Sequence, residues 1–136
     1  MSISLVKEPF SREENLSCLE SYVRVWFEKN FEELTPPQQY SFKLISSGEN
    51  IIATAPTGSG KTLAGFMVIL NELFKLGEKA ELRDGVYCIY ISPLKALDND
   101  IRKNLLIPLN EIREIASGMG KTLPEVRIGV RTGDVS

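Results

Sequence analysis

Histidine is absent from this 136-residue chain, and its two cysteines, Cys18 and Cys88, stand far apart. Without imidazole and without clustered thiols, a zinc site and histidine-based acid–base catalysis are both excluded. Cys88 falls in an apolar stretch, which predicts a buried free thiol in a reducing compartment. Charge of one sign is also lacking: the formal net charge is −2. No global basic field marks the chain as a nucleic-acid binder, although a local track of Lys and Arg remains open. No apolar run is long enough to cross a bilayer, and Leu63–Leu70 reads as a buried helix. The first residues carry no basic flank with an apolar core, so no signal peptide is expected. Internal repeats and low-complexity segments are missing too. These absences predict a cytoplasmic chain with no membrane partner. What is there suffices for one domain with a real core.

The most informative segment is Ala55-Pro56-Thr57-Gly58-Ser59-Gly60-Lys61-Thr62. It follows the apolar Ile51-Ile52-Ala53-Thr54 and opens a long apolar run from Leu63 to Leu76. Strand, glycine-rich loop and helix in that order are the layout of a phosphate-binding P-loop. Backbone N–H groups in such a loop converge on an anion, and the helix N-terminus adds partial positive charge. Gly58 and Gly60 let the main chain approach phosphates without a Cβ in the way. Lys61 is placed to reach the β- and γ-phosphates, and the Thr62 hydroxyl to hold Mg²⁺. Ala55 stands where the usual pattern has Gly. The similar run Gly118-Met119-Gly120-Lys121-Thr122 follows a helix rather than a strand, and reads as a helix stop and turn.

Along the chain, Ser11-Arg12-Glu13-Glu14 fits a capping box, and Leu16, Leu19, Val23 and Phe27 fall on one helical face behind it. Thr35-Pro36 predicts a second helix start, with Thr as N-cap and Pro at the first position, running to about Ser47-Gly48. Strands are expected at 50–54, 86–91 and 126–130, the second apolar without alternation, as for a strand covered on both faces. Gly77 to Gly85 reads as a surface loop. Ser92-Pro93 opens a further helix with Leu94, Leu97, Ile101 and Leu105 as its buried stripe. Pro108 should break or kink that helix, and Leu109 to Ala116 forms another helical piece. Strands alternating with helices predict an α/β chain built as three layers around a mainly parallel sheet.

Three strings in this order narrow the reading. Thr35-Pro36-Pro37-Gln38 resembles the Q-motif of superfamily 2 (DEAD/DEAH-type) helicases, and Ser92-Pro93-Leu94-Lys95-Ala96-Leu97 resembles their motif Ia. Arg131-Thr132-Gly133-Asp134 resembles the next motif that touches nucleic acid. The fuller strings, with Asn99-Asp100, resemble the large helicase-related (Lhr) family, over most of the chain from about Trp26 to Asp134. The resemblance implies a RecA-like P-loop NTPase fold, incomplete at the C-terminus. It implies an N-terminal helical extension at 1–34 and a partial ATP-binding domain at 35–136. ATP and Mg²⁺ are the implied cofactors. The implied partners are single-stranded DNA, with RNA or a hybrid duplex as alternatives, and the remaining helicase domains of the same polypeptide. Movement 3′ to 5′ is likewise implied by resemblance alone.

Individual roles stay open at several positions. Gln38 matches the glutamine that pairs with the adenine edge, for which a carboxamide has the right donor and acceptor. Thr35-x-x-Gln38 is equally a capping box. Tyr22, Trp26, Phe27 or Phe31 could stack on the base, or simply pack the helix. Ser92, Pro93 and Lys95 sit at a strand end and helix start, which suits a nucleic-acid phosphate and equally a plain helix start. Thr132 and Gly133, with Arg131 nearby, would touch the next phosphate along. None of these groups reads base edges, so sequence specificity should be weak. Asp98, Asp100, Arg102 and Lys103 read as a solvated helix face.

Superfamily 2 motors need an acidic D-E-x-H-type segment, and none occurs here. Asp84 and Asp134 are not followed by Glu. The second lobe with its arginine finger is also missing. The expectation is therefore the N-terminal part of a larger helicase, cut before the Walker B segment, that binds nucleotide but hydrolyses it poorly. An open sheet edge would make it poorly soluble. A small P-loop kinase, or a non-catalytic nucleic-acid or partner-binding module, are the alternatives.

Overall fold

The computed structural model describes residues 2–133. Six α-helices appear in the described residues: α1 Arg12–Leu16, α2 Ser21–Asn30, α3 Pro36–Ser46, α4 Lys61–Glu78, α5 Leu94–Ile101 and α6 Ile107–Gly118. The capping box at α1 forms as the sequence implies: Glu14 N–H donates to Ser11 Oγ at 3.1 Å, and Ser11 N–H to Glu14 Oε1 at 3.2 Å. Leu16, Leu19, Val23 and Phe27 are all buried, but not on one helix. The chain breaks between α1 and α2, and the cause lies far away in sequence. Asn71 of α4, wholly buried, accepts from Glu20 N–H at 2.7 Å and donates to the Cys18 carbonyl at 3.3 Å. Those bonds satisfy half-buried backbone groups that the helix break leaves without helical partners.

A single apolar core joins α2, α3, α4 and α6. Tyr22, Phe27, Phe42, Phe74, Leu16 at its α1 margin, Met67, Leu70 and Ile112 are its largest fully buried apolar side chains. Phe27 meets Phe42 edge-on, and Tyr22 meets Phe74 edge-on. Asn15 ties α1 to α3, donating to the Gln39 carbonyl at 3.0 Å and accepting from Lys43 N–H at 3.2 Å. Trp26 Nε1 donates to Glu111 at 3.1 Å, linking α2 to α6.

Pro108 does not break the helix after α5. Arg102–Leu106 forms a π-helical turn between α5 and α6. Asn104 has no N–H partner at Pro108, and the wider turn carries the chain past the pyrrolidine ring without a clash. The stripe expected on α5 is corrected in part. Leu105 is buried, but Leu94 is 63% exposed. The Gly118 stop holds: α6 ends there, Gly120 takes φ +78°, and Lys121 N–H closes onto the Ala116 carbonyl at 2.8 Å.

The expected strands at 50–54, 86–91 and 126–130 do not form, and no strand occurs among the described residues. Segments 86–91 and 126–130 do come together along one apolar cavity of about 600 Å³, beside Phe66, Ile69 and Leu73 of α4. They do not pair, and a physical reason is at hand. Parallel strands are stable when both faces are covered, and here the face shared by alternate residues is open: Tyr87, Ile89 and Ile91 are 47%, 79% and 89% exposed. Cys88 is accordingly exposed rather than buried, although apolar neighbours still push its thiol pKa up.

Candidate functional site

The loop before α4 has the geometry its composition demands. Gly58 and Gly60 lie at φ +81° and +86°, in the left-handed region that glycine occupies freely. Gly60 is the N-cap of α4, and no side chain caps the helix. The first-turn N–H groups of an uncapped helix are donors in need of an acceptor. Within the loop, the Ser59 hydroxyl is buried and has no hydrogen-bond partner. Lys61 folds back across the loop, its ammonium donating to the Ala55 carbonyl. Pro56, Thr57 and Gly58 are exposed, while Ala55, Ser59, Gly60, Lys61 and Thr62 are half-buried. Free N–H groups, an orphaned hydroxyl and one ammonium together make a cradle for a polyanion.

Gln38 stands directly behind this loop, 2% exposed. Its Oε1 accepts from Thr35 N–H at 2.9 Å, the capping-box contact. Its Nε2 points at the Gly60 carbonyl, 3.4 Å away. Both ends of the carboxamide are thus engaged within the chain, and they brace the helix start against the loop. The Thr35 hydroxyl beside them is buried without a partner.

The second cluster lies after residue 90. Pro93 is the N-cap of α5, Ser92 Oγ donates to the Pro93 carbonyl at 3.1 Å, and Lys95 is exposed in the first turn. Ser92 and Arg131 line the same cavity. The second and third strings of the sequence thus each reach this one cavity. Arg131 and Gly133 are exposed and Thr132 is half-buried; Asp134 lies outside the described residues. The aromatic candidates for base stacking are core or core margin: Tyr22, Trp26 and Phe27 are buried, and Phe31 packs on Trp26 and Phe27.

Two groups matter here that the sequence reading did not single out. Tyr90 reaches the solvated face of α5, its hydroxyl donating to Asp100 at 2.7 Å. Asn71 was visible as a lone amide inside an apolar helical run, a signal for a buried polar hub that was available and unused.

This loop and helix put the chain in the P-loop class. The DEAD/DEAH box helicase family model matches residues 35–127. The chain belongs to that family. It is 48% identical over 134 residues to the ATP-dependent helicase Lhr-Core protein 2 of Thermococcus barophilus, covering 98% of this chain and 16% of that protein. Against the Lhr-Core helicase of Saccharolobus solfataricus the identity is 50%, covering 93% and 14%. The solved structure of Mycobacterium smegmatis helicase Lhr bound to ssDNA and AMP-PNP superposes with a TM-score of 0.76 at 38% identity. It covers 90% of this chain and 15% of that one. The fold is thus that of the RecA-like helicase, seen here in its helices. The chain spans no more than about a sixth of the length of these relatives.

Proposed function

We propose that residues 55–62 bind Mg·ATP and that this chain is the ATP-binding portion of an ATP-dependent helicase or translocase. The observation that carries the reading is the loop: two left-handed glycines, an uncapped helix start, and the Ser59 hydroxyl buried without a partner. In this reading Lys61 leaves the Ala55 carbonyl for the β- and γ-phosphates, and the loop N–H groups bind the remaining oxygens. Thr62 holds Mg²⁺ through its hydroxyl. No group of acidic, Cys or His side chains among the described residues could hold a metal by itself, so the cation arrives with the nucleotide. When bound, it neutralises charge on the β- and γ-phosphates.

Gln38 recognises adenine by exchanging its contacts at Thr35 and Gly60 for the base edge. That exchange makes nucleotide binding felt at the start of α3. Ser92, Pro93 and Lys95, with Arg131, Thr132 and Gly133, bind the phosphates of single-stranded DNA. A solved relative carries ssDNA and AMP-PNP together, which supports the pairing of the two ligands. RNA or a hybrid duplex could follow the same backbone contacts, and movement is 3′ to 5′. In the longer protein, segments 50–54, 86–91 and 126–130 join a mainly parallel sheet, with 1–34 as a helical extension on the domain at 35–136. Alone, residues 1–136 hydrolyse ATP poorly, because no acidic segment orients the water. The compartment is the cytoplasm; no described helix is long and apolar enough to cross a membrane.

Calorimetric titration with Mg·ADP, Mg·ATP and Mg·GTP tests this on the wild-type chain, Gln38→Ala and Lys61→Ala. Adenine-selective binding should lose its selectivity in Gln38→Ala and vanish in Lys61→Ala. Equal affinity for ATP and GTP returns Gln38 to helix capping. Binding that survives Lys61→Ala unchanged overturns the site.

A further inference from the structure

Asn15 is the one wholly buried polar side chain of α1, and neither proposed site uses it. Its carboxamide reaches across to α3. Nδ2 donates to the Gln39 carbonyl at 3.0 Å, and Oδ1 accepts from the Lys43 N–H at 3.2 Å. Residues 39 and 43 are an i, i+4 pair, the two that an α-helix joins to each other. Only one height and one rotation of α3 therefore satisfy both ends of the amide. The same nitrogen is held within its own segment by the Phe10 and Ser11 carbonyls, at 3.2 and 3.1 Å. Phe10 N–H adds a bond to the Gln39 carbonyl at 3.1 Å, and at the surface Lys43 pairs with Glu14 at 3.0 Å. Apolar contacts such as Phe42 on Phe27 press α3 onto the core, but they are non-directional and leave its register free. Gln38, the neighbour of Gln39, is the residue through which α3 meets the nucleotide loop.

We propose that Asn15 is a positioning residue for base selectivity: it fixes the register of α3 and so presents the Gln38 carboxamide to an adenine edge. A slip of one residue along α3 would move Gln38 by about 1.5 Å and turn it by about 100°. That takes a carboxamide out of hydrogen-bonding range at both ends. This rests on the adenine role proposed for Gln38. Phosphate binding through Lys61 and the loop does not depend on it, so loss of Asn15 separates recognition of the base from recognition of the phosphates.

Calorimetric titration with Mg·ATP and Mg·GTP compares the 136-residue chain with Asn15→Ala and with Asn71→Ala, which loses a second wholly buried amide that makes no bond to α3. Asn15→Ala should bind GTP as wild type does and ATP more weakly. Its ATP-to-GTP affinity ratio should fall by about 5-fold or more, the worth of one hydrogen bond. Asn71→Ala should keep the wild-type ratio. A wild-type ratio in Asn15→Ala overturns the inference, and so does an equal fall in Asn71→Ala, which would be a general effect of lost stability. Amide hydrogen exchange on wild type decides the matter where Asn15→Ala does not fold. Coupling between sites is reciprocal, so saturating Mg·ATP should slow exchange across residues 10–16 more than saturating Mg·GTP does. Equal protection by the two nucleotides overturns the inference while an adenine-selective wild type leaves Gln38 standing. Wild type that binds ATP and GTP equally removes the adenine role of Gln38 and this inference together.

Discussion

Replacing Gly60 with alanine should damage the chain more than the same change at Gly58, and the difference can be worked from the structure. Both glycines sit at positive φ, so alanine at either costs about 1–2 kcal/mol of backbone strain. At Gly58 nothing else lies within 4 Å of the added Cβ. At Gly60 that Cβ falls 2.5 Å from Gln38 Nε2, 3.0 Å from Thr35 Oγ1 and 3.2 Å from Gln38 Cδ. Gln38 is buried and cannot swing into solvent. Gly60→Ala therefore also displaces the Nε2 contact to the Gly60 carbonyl, worth about 1 kcal/mol, and strains the packing by about another 1–3 kcal/mol. The expected cost is about 3–6 kcal/mol at Gly60 against about 1–2 kcal/mol at Gly58. Each kcal/mol moves the midpoint by about 3–5 °C in a chain of this size, so thermal unfolding by circular dichroism should separate the two plainly. Gln38→Ala removes the obstructing amide, so the double variant Gly60→Ala/Gln38→Ala should recover part of the loss. Equal midpoint shifts for Gly58→Ala and Gly60→Ala, or strict additivity in the double variant, would refute the argument that Gln38 braces the loop.

Asn71→Ala should destabilise by roughly 1–3 kcal/mol in urea unfolding, because it leaves the half-buried Glu20 N–H and Cys18 carbonyl without this partner. A loss below 1 kcal/mol would mean that the break between α1 and α2 is not held by this amide. At the surface, hydrogen bonding to Arg24 lowers the Glu13 pKa, and hydrogen bonding to Lys43 lowers that of Glu14. Acids with depressed folded-state pKa values stabilise above their ordinary value of 4.5 and lose that contribution as the pH falls through the folded value. The combined change Arg24→Ala/Lys43→Ala should thus lower the midpoint at pH 7, and its gap to wild type should close as the pH falls below 4.5 through the lowered folded values. A gap that stays constant down to pH 3 would assign the effect to lost side-chain packing instead.

Local chemistry was legible and non-local pairing was not. The loop at 55–62 declares itself because its glycines, its lysine and the helix behind it are consecutive, and so do the capping box at Ser11 and the Gln38 half of the one at Thr35. Burial of Leu16, Leu19, Val23 and Phe27 was legible from spacing alone. The break that divides them was not, since it is made by an amide on α4. The runs at 86–91 and 126–130 read as strands because they are apolar and β-branched, yet pairing depends on what covers their faces, which no run of residues states about itself. Leu94 failed for the same reason: periodicity gives a face, and only a neighbour makes that face inside.

Gln38 and Tyr90 show how this limit bears on function. A capping box and an adenine contact use the same carboxamide, so the sequence left both open at Gln38. The bonds to Thr35 and Gly60 engage both ends of that amide, so in the proposed reading it must release the loop before it can hold a base. Tyr90 carried no motif and read as one more residue of an apolar strand. Its hydroxyl acquires meaning only when Asp100 comes within 2.7 Å and Phe66 packs against the ring. Groups that bind a ligand can be recognised in sequence because the ligand imposes their spacing. Groups that hold one segment to another answer only to each other, so their partners are found in the fold.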